Sequence, residues 1–174
     1  LELGFGDVVY MGRALLCDPE FPNKAMDGRA DTIRPCIGCN QCLTSVNSDQ
    51  TICCTMNPEA GREAQSAPPV AGGRRLLVAG GGPAGLTAAA CAAERGYEVT
   101  LRETSDRLGG QMYLAAFPPC KQELARGTRY LVERCRRAGV HIQLNTAAEA
   151  GQIAGEGWDA VVVASGGHPA MPAF

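Results

Sequence analysis

The sequence has no apolar run of about 18 residues, so it offers no transmembrane helix. It has no surplus of charge either. Sixteen Lys and Arg against 18 Asp and Glu leave a formal net charge of −2, a balance that favours neither nucleic acid nor an anionic membrane as partner. It does not start with methionine, and Leu1-Glu2-Leu3-Gly4-Phe5-Gly6 lacks the basic-then-apolar layout of a signal peptide. The opening reads as the inside of a longer chain, and a fragment is expected. No internal repeat is evident. What remains is the composition of a globular protein, 45% hydrophobic and 20% charged. Its 174 residues suffice for one domain, or for a small domain plus part of another.

Cysteine is what the chain has in excess: nine residues, at 17, 36, 39, 42, 53, 54, 91, 120 and 135. Five fall between 36 and 54, whereas Cys91 and Cys135 lie within helical patterns. Disulfide frameworks belong to shorter, loop-rich, secreted chains. A reduced cytoplasmic protein with one metal site fits this distribution better.

Residues 7–11 (Asp-Val-Val-Tyr-Met) read as a short buried strand ended by Gly12-Arg13, with a short helix expected from Pro19 to Met26. Residues 31–60 show neither helical nor strand periodicity, as expected where a metal rather than a core organises the chain. Residues 61–73 form the best linker candidate. From Arg74 the pattern changes. Leu76-Leu77-Val78-Ala79 reads as a central parallel strand. Pro83 to Arg95 reads as an Ala-rich helix stopped by Gly96, and Val99 and Leu101 mark a second strand. A longer helix is expected from Pro119 to Ala138. Leu124, Leu131, Cys135 and Ala138 form its apolar stripe, and Arg126, Arg129, Arg134, Arg136 and Arg137 its solvated face. Val140, Ile142 and Leu144 give a third strand and Asp159 to Ser165 a fourth. This alternation predicts an α/β fold with an open parallel sheet of doubly wound type.

Cys36, Cys39 and Cys42 follow C-x2-C-x2-C spacing, and Cys53 and Cys54 come eleven and twelve positions after Cys42. Three crowded thiolates with one returning from further along suit a [4Fe–4S] cluster. Zinc is the rival, but structural zinc sites usually draw on two separated ligand pairs. Spacing alone leaves Cys53 and Cys54 equal as fourth ligand, the other being a buried free thiol.

Gly80, Gly82 and Gly85 satisfy G-x-G-x-x-G directly after an apolar strand and at the opening of a helix, the context that gives the pattern meaning. The first glycine permits a tight turn, the second close approach of backbone to a pyrophosphate, and the third close packing of helix on strand. The helix N-terminus beginning at Pro83 and Ala84 then faces the phosphates. Glu103 ends the second strand 18 residues after Gly85, where a carboxylate can bond ribose hydroxyls and repel a 2′-phosphate. Its competing reading is a solvated strand end. Leu108-Gly109-Gly110-Gln111 makes a second glycine turn, which a plain loop explains as well as a ligand contact. His168, beside Pro169, reads as a loop histidine rather than a catalytic base.

With these residues in view, the chain resembles the iron–sulfur flavoenzymes related to old yellow enzyme, of NADH:flavin oxidoreductase type. That family includes 2,4-dienoyl-CoA reductase, trimethylamine dehydrogenase and the clostridial enoate reductases. Gly12-Arg13-Ala14-Leu15-Leu16-Cys17-Asp18-Pro19 looks like the end of the family's (β/α)8 barrel, and residues 34–42 resemble its cluster loop. Cys54-Thr55-Met56-Asn57-Pro58 resembles its last ligand followed by an Asn-Pro pair. The 80–85, 108–111 and 164–169 turns resemble its FAD domain, with Ser165 where the family has Thr.

The resemblance implies four parts: residues 1–30 as the end of an FMN-binding barrel, 31–60 as the cluster loop, 61–73 as a linker, and 74–174 as a partial Rossmann-like FAD domain. It implies Cys36, Cys39, Cys42 and Cys54 as cluster ligands, and Gly12 and Arg13 at the FMN phosphate, since barrel phosphate sites use the last βα loops. Gly80, Gly82, Pro83, Ala84, Gly85, Glu103, Gly109, Gly110 and Gln111 would meet FAD. The implied electron path runs from NAD(P)H through FAD and the cluster to FMN, which reduces an activated C=C bond of a small molecule; in the dehydrogenase branch electrons flow outward. No catalytic residue is expected within this chain, because the active-site acid and the substrate pocket lie outside it. A homo-oligomeric parent is allowed for.

Overall fold

Apolar residues in unbroken succession can hide both faces of a strand only inside a parallel sheet covered from both sides. Leu76, Leu77, Val78 and Ala79 are all buried. The computed structural model describes residues 3–65 and 72–167. Part of the expected linker, residues 66–71, lies outside them, as do His168 and Pro169. The chain divides into two units, Leu1–Ser66 and Ala67–Phe174.

The second unit holds β1 (Arg75–Ala79), β2 (Glu98–Arg102), β3 (His141–Gln143) and β4 (Ala160–Val163). All three pairings are parallel, in the order β3-β2-β1-β4. Between β1 and β2 runs α4 (Pro83–Glu94), which starts on a proline preset for the first helical turn. It ends before Gly96, whose φ of 100° needs no Cβ to be avoided. Leu86, Ala89 and Ala90 are buried on α4. Alongside it lies α6 (Gln122–Arg137), which buries Leu131 and Cys135. Two shorter helices, α5 (Gly110–Ala115) and α7 (Ala150–Ile153), complete the unit.

One expectation for α6 is corrected. Arg134 is not on the solvated face but buried, its Nε and Nη2 bonded to the Glu94 carboxylate at 2.8 and 2.6 Å. It follows Leu131 by three positions and so shares its face. A buried guanidinium is tolerable there because Glu94 pairs it. The fourth strand forms where expected but as an exposed edge, with Val163 77% accessible.

The first unit carries α1 (Arg13–Cys17), α2 (Phe21–Met26) and α3 (Gln41–Asn47), plus 3-10 turns at Ala30–Thr32 and Glu63–Gln65. None of these helices is long enough to hold itself together in water. Buried Asp18 supplies the tie, accepting hydrogen bonds from Lys24 Nζ (2.7 Å), the Arg34 backbone N–H (2.7 Å) and the Glu20 N–H (3.2 Å). Its carboxyl stays below the ordinary aspartate range: burial opposes ionisation, but the bonds from Lys24 and Arg34 outweigh it.

One expectation fails in this unit. Residues 7–11 form no strand; Val8, Val9 and Tyr10 are exposed, Tyr10 at 98%. A strand draws its hydrogen bonds from a neighbour, and among the described residues none pairs with this segment. The stretch 31–60, read as lacking periodicity, nonetheless contains α3. Seven residues span too few turns for a helical repeat to show.

Leu101 on β2 is fully buried. Leu101→Ala is expected to cost about 2–5 kcal/mol, the range for emptying a packed leucine site, read from the urea midpoint of the far-UV circular dichroism transition.

Candidate cofactor sites

Two residues between the close-set cysteines take left-handed backbone, Gly38 at φ 67° and Asn40 at φ 57°. Glycine and asparagine are the residues that accept that conformation at least cost. Cys36, Cys39 and Cys42 lie along the resulting curl and the start of α3. Cys54 joins them, and all four line a solvent-open cavity with about 310 Å³ of empty space.

Cys53 is not among the lining residues. It is half-buried rather than fully buried as expected, and its sulfur lies 3.0 Å from Ser45 Oγ. The structure therefore separates two neighbours that spacing could not.

Cys54 is held ready as a thiolate, its pKa brought down to about 5. The hydrogen bond from the Cys17 thiol is the largest cause; burial opposes it, and the backbone N–H groups of Met56 and Asn57 and the Arg34 charge assist. Cys39 is exposed, 3.2 Å from Thr55 Oγ1. Among the described residues, no three His, Cys, Asp or Glu groups are placed to hold a single metal ion. A tetrahedral zinc site would need its thiolates about 2.3 Å from one centre, whereas a cubane offers each thiolate its own iron. A donor set made only of thiolates, spread around one cavity, fits the cluster.

Arg13 also lines this cavity and donates from Nη1 to the Asn40 side-chain oxygen. Gly12 caps α1, and a Cβ there would meet nothing within 4 Å. Sequence reasoning missed three further residues. Asp18 organises the loop, Asn57 donates from Nδ2 to the Leu16 carbonyl at 3.0 Å, and Cys17 is buried at the end of α1. Buried polar residues in a segment without periodicity give no one-dimensional signal.

At the end of β1 each glycine has its own reason. Gly80 has φ 115°, and a Cβ on it would lie 2.4 Å from the Ala164 carbonyl oxygen. A Cβ on Gly85 would lie 1.9 Å from the Gly80 oxygen, so α4 can approach the strand only without one. Gly82, at the cap of α4, is open: nothing lies within 4 Å of where its Cβ would point. That open space beside a helix N-terminus, with Pro83 and Ala84 in the first turn, is a cradle a side chain would fill and a pyrophosphate can use.

The segment after β2 folds back on this turn. Gly109 N–H donates to the Gly81 carbonyl at 2.8 Å. Gly110 lies so close to Gly82 that a Cβ on it would sit 3.1 Å from the Gly82 Cα. Gln111 Nε2 reaches the Gly167 carbonyl at 2.6 Å. The 80–85, 108–111 and 164–167 turns therefore gather at one end of the sheet.

Glu103 stands among them. Its Oε2 accepts from Gly81 N–H at 2.6 Å, and its Oε1 from Ser105 N–H at 2.8 Å, with the Ser105 and Thr104 hydroxyls also within reach. The carboxyl is held below the ordinary glutamate range: burial works against the charge, and the bonds from Ser105 and Gly81 prevail. An ionised carboxylate offers about four acceptor positions, so Oε2 keeps capacity for a further donor such as a ribose hydroxyl.

A parallel sheet with a glycine turn opening a helix places the second unit in the class of Rossmann-like dinucleotide-binding folds. The model of the NAD(P)-binding Rossmann-like domain matches residues 78–144. The chain is 47% identical to a metal reductase of Desulforamulus reducens, over 99% of this chain and 27% of that protein. Two solved structures superpose on it. A 2-naphthoyl-CoA reductase in complex with 2-naphthoyl-CoA gives a TM-score of 0.91 at 36% identity, over 98% of this chain and 26% of that one. A histamine dehydrogenase from Rhizobium sp. 4-9 gives 0.88 at 31%, over 96% and 25%. Other relatives include a cinnamate reductase and a multifunctional alkene reductase/demethylase. The chain belongs to the old yellow enzyme and 2,4-dienoyl-CoA reductase family, and it spans about 27% of the length of the metal reductase. No helix among the described residues is long and apolar enough to cross a membrane.

Gly85→Ala is expected to cost about 1–3 kcal/mol, the range for overpacking, and to be measurable by urea denaturation. Glu103 makes a second, pH-dependent prediction. Because its folded pKa is depressed, its stabilisation is complete above the ordinary glutamate pKa and is lost as pH falls through the lower folded value. Glu103→Gln should lower the thermal midpoint at pH 7 and leave the difference from wild type smallest at the acid end.

Proposed function

We propose that the chain is the relay segment of an NAD(P)H-dependent flavin and iron–sulfur oxidoreductase that reduces an activated C=C bond. In this reading Cys36, Cys39, Cys42 and Cys54 hold a [4Fe–4S] cluster. Gly80, Gly82, Gly85 and the first turn of α4 receive the pyrophosphate of FAD, and Glu103 the ribose. Gly109, Gly110 and Gln111 flank the same nucleotide, while Gly12 and Arg13 lie toward an FMN phosphate. The observation that carries the reading is the convergence of four cysteines on one cavity, with Cys53 turned away to Ser45.

Bound together, such groups connect a donor of electron pairs to a carrier of single electrons, because flavins handle both. The protein's part is to hold and orient. The curl at Gly38 and Asn40 presents three thiols, and the bonds on Cys54 keep its sulfur ionised at neutral pH. At the other site Glu103 fixes the glycine turn and carries the charge that discriminates against a 2′-phosphate. The likeness to histamine dehydrogenase favours a second reading, in which the parent oxidises an amine and electrons leave through the same segment. A non-enzymatic module stabilised by zinc is the rival from another class, and metal and sulfide content tell the two apart.

Anaerobically purified full-length protein is expected to contain about four iron and four acid-labile sulfide per chain; about one zinc without sulfide would overturn the proposal. Cys39→Ser should abolish electron passage to FMN while leaving FAD reduction by NAD(P)H intact, as read by stopped-flow absorbance. Unchanged FMN reduction in that variant would refute the relay.

A further inference from the structure

Resting on the reading of the glycine turns as an FAD site, we infer that Thr128 is a positioning residue that sets how closely the second glycine turn presses on the first. Thr128 lies buried on α6, and the 108–110 turn touches both it and the 80–82 turn. Gly109 is buried, and a Cβ on it would lie 2.6 Å from Thr128 Cγ2. The same turn also meets the first one. Gly109 N–H donates to the Gly81 carbonyl at 2.8 Å, a Cβ on Gly81 would lie 2.6 Å from Leu108 Cδ2, and a Cβ on Gly110 would lie 3.1 Å from the Gly82 Cα. One layer of backbone therefore links the Thr128 methyl to the nucleotide loop.

The methyl is itself held in place. Thr128 Oγ1 donates to the Leu124 carbonyl one turn back at 3.1 Å, which fixes the rotamer that presents Cγ2 to Gly109. Leu131 and Cys135 continue the same face of α6, and two polar contacts fasten that helix to α4: Cys135 Sγ donates to the Leu86 carbonyl at 3.1 Å, and Arg134 pairs with Glu94 at 2.6 Å. Because α4 begins at the nucleotide loop, the contacts close a circuit. It runs from Gly82 along α4, across to α6, through Thr128 to Gly109 and back to Gly81. Close-packed interiors register the loss of even one carbon. Without the Thr128 methyl, Gly109 can settle toward α6 and draw the turn away from Gly81 and Gly82. A loop that must be re-formed on binding loses affinity.

Serine at position 128 keeps the hydroxyl and loses the methyl, whereas valine keeps a methyl there and loses the hydroxyl. The test uses full-length protein depleted of FAD. Bound FAD is measured by equilibrium dialysis and chromatography of the released flavin, which separates it from FMN. Dialysis well below each variant's thermal midpoint keeps global unfolding out of the result. Thr128→Ser should raise the FAD dissociation constant about two- to tenfold, the effect of one buried methyl, and Thr128→Val should stay near wild type. Serine at wild-type affinity, whatever its thermal midpoint, would overturn the inference and leave Thr128 a packing residue. Valine weakened as much as serine would overturn it too, by shifting the role to the hydroxyl. If the valine variant does not fold, the serine variant decides alone on the same terms. Wild-type full-length protein that binds no FAD would instead remove the reading of the glycine turns.

Discussion

The approach of α4 to the end of β1 sets the geometry of the nucleotide-binding unit. With hydrogen at Gly85, the helix begins where its N-terminus opens beside Gly82 rather than further along the sheet. The turn that results is tight on two sides, with Gly80 against the Ala164 carbonyl and Gly110 against Gly82, and open only where a Cβ on Gly82 would point. Burial of Leu77, Val78, Leu86 and Leu101 then secures an arrangement that backbone sterics have already limited.

The cysteine-bearing unit is governed by polar contacts instead. Its helices are short, and buried Asp18 and Asn57 connect segments that share little apolar surface. Such a fold suits a site whose ligands are themselves polarisable and charged.

The sheet was legible from residues because its strands are apolar runs bounded by turn residues, and Leu76–Ala79 and Val161–Val163 were placed within a residue or so. Four of the clustered cysteines line one cavity, a grouping that their spacing suggested. Arg134 was misread because a charged residue on a helix is ordinarily solvated, and its partner Glu94 lies 40 residues away. The segment 7–11 was misread because an apolar run predicts a strand only where a neighbour exists to pair with it. Choosing between Cys53 and Cys54 needed either the flanking Asn57-Pro58 pair or the contact with Ser45, and the latter appears only in three dimensions.

Glu103 and Gly109 satisfy the Gly81 N–H and carbonyl from within the protein. On the proposed reading of this turn as a nucleotide site, the loop is therefore shaped before any nucleotide arrives. Little conformational entropy remains to be lost on association, so a larger share of the contact energy goes into affinity. A pre-shaped loop also places variation among related binders mainly in how slowly the nucleotide leaves rather than in how quickly it enters.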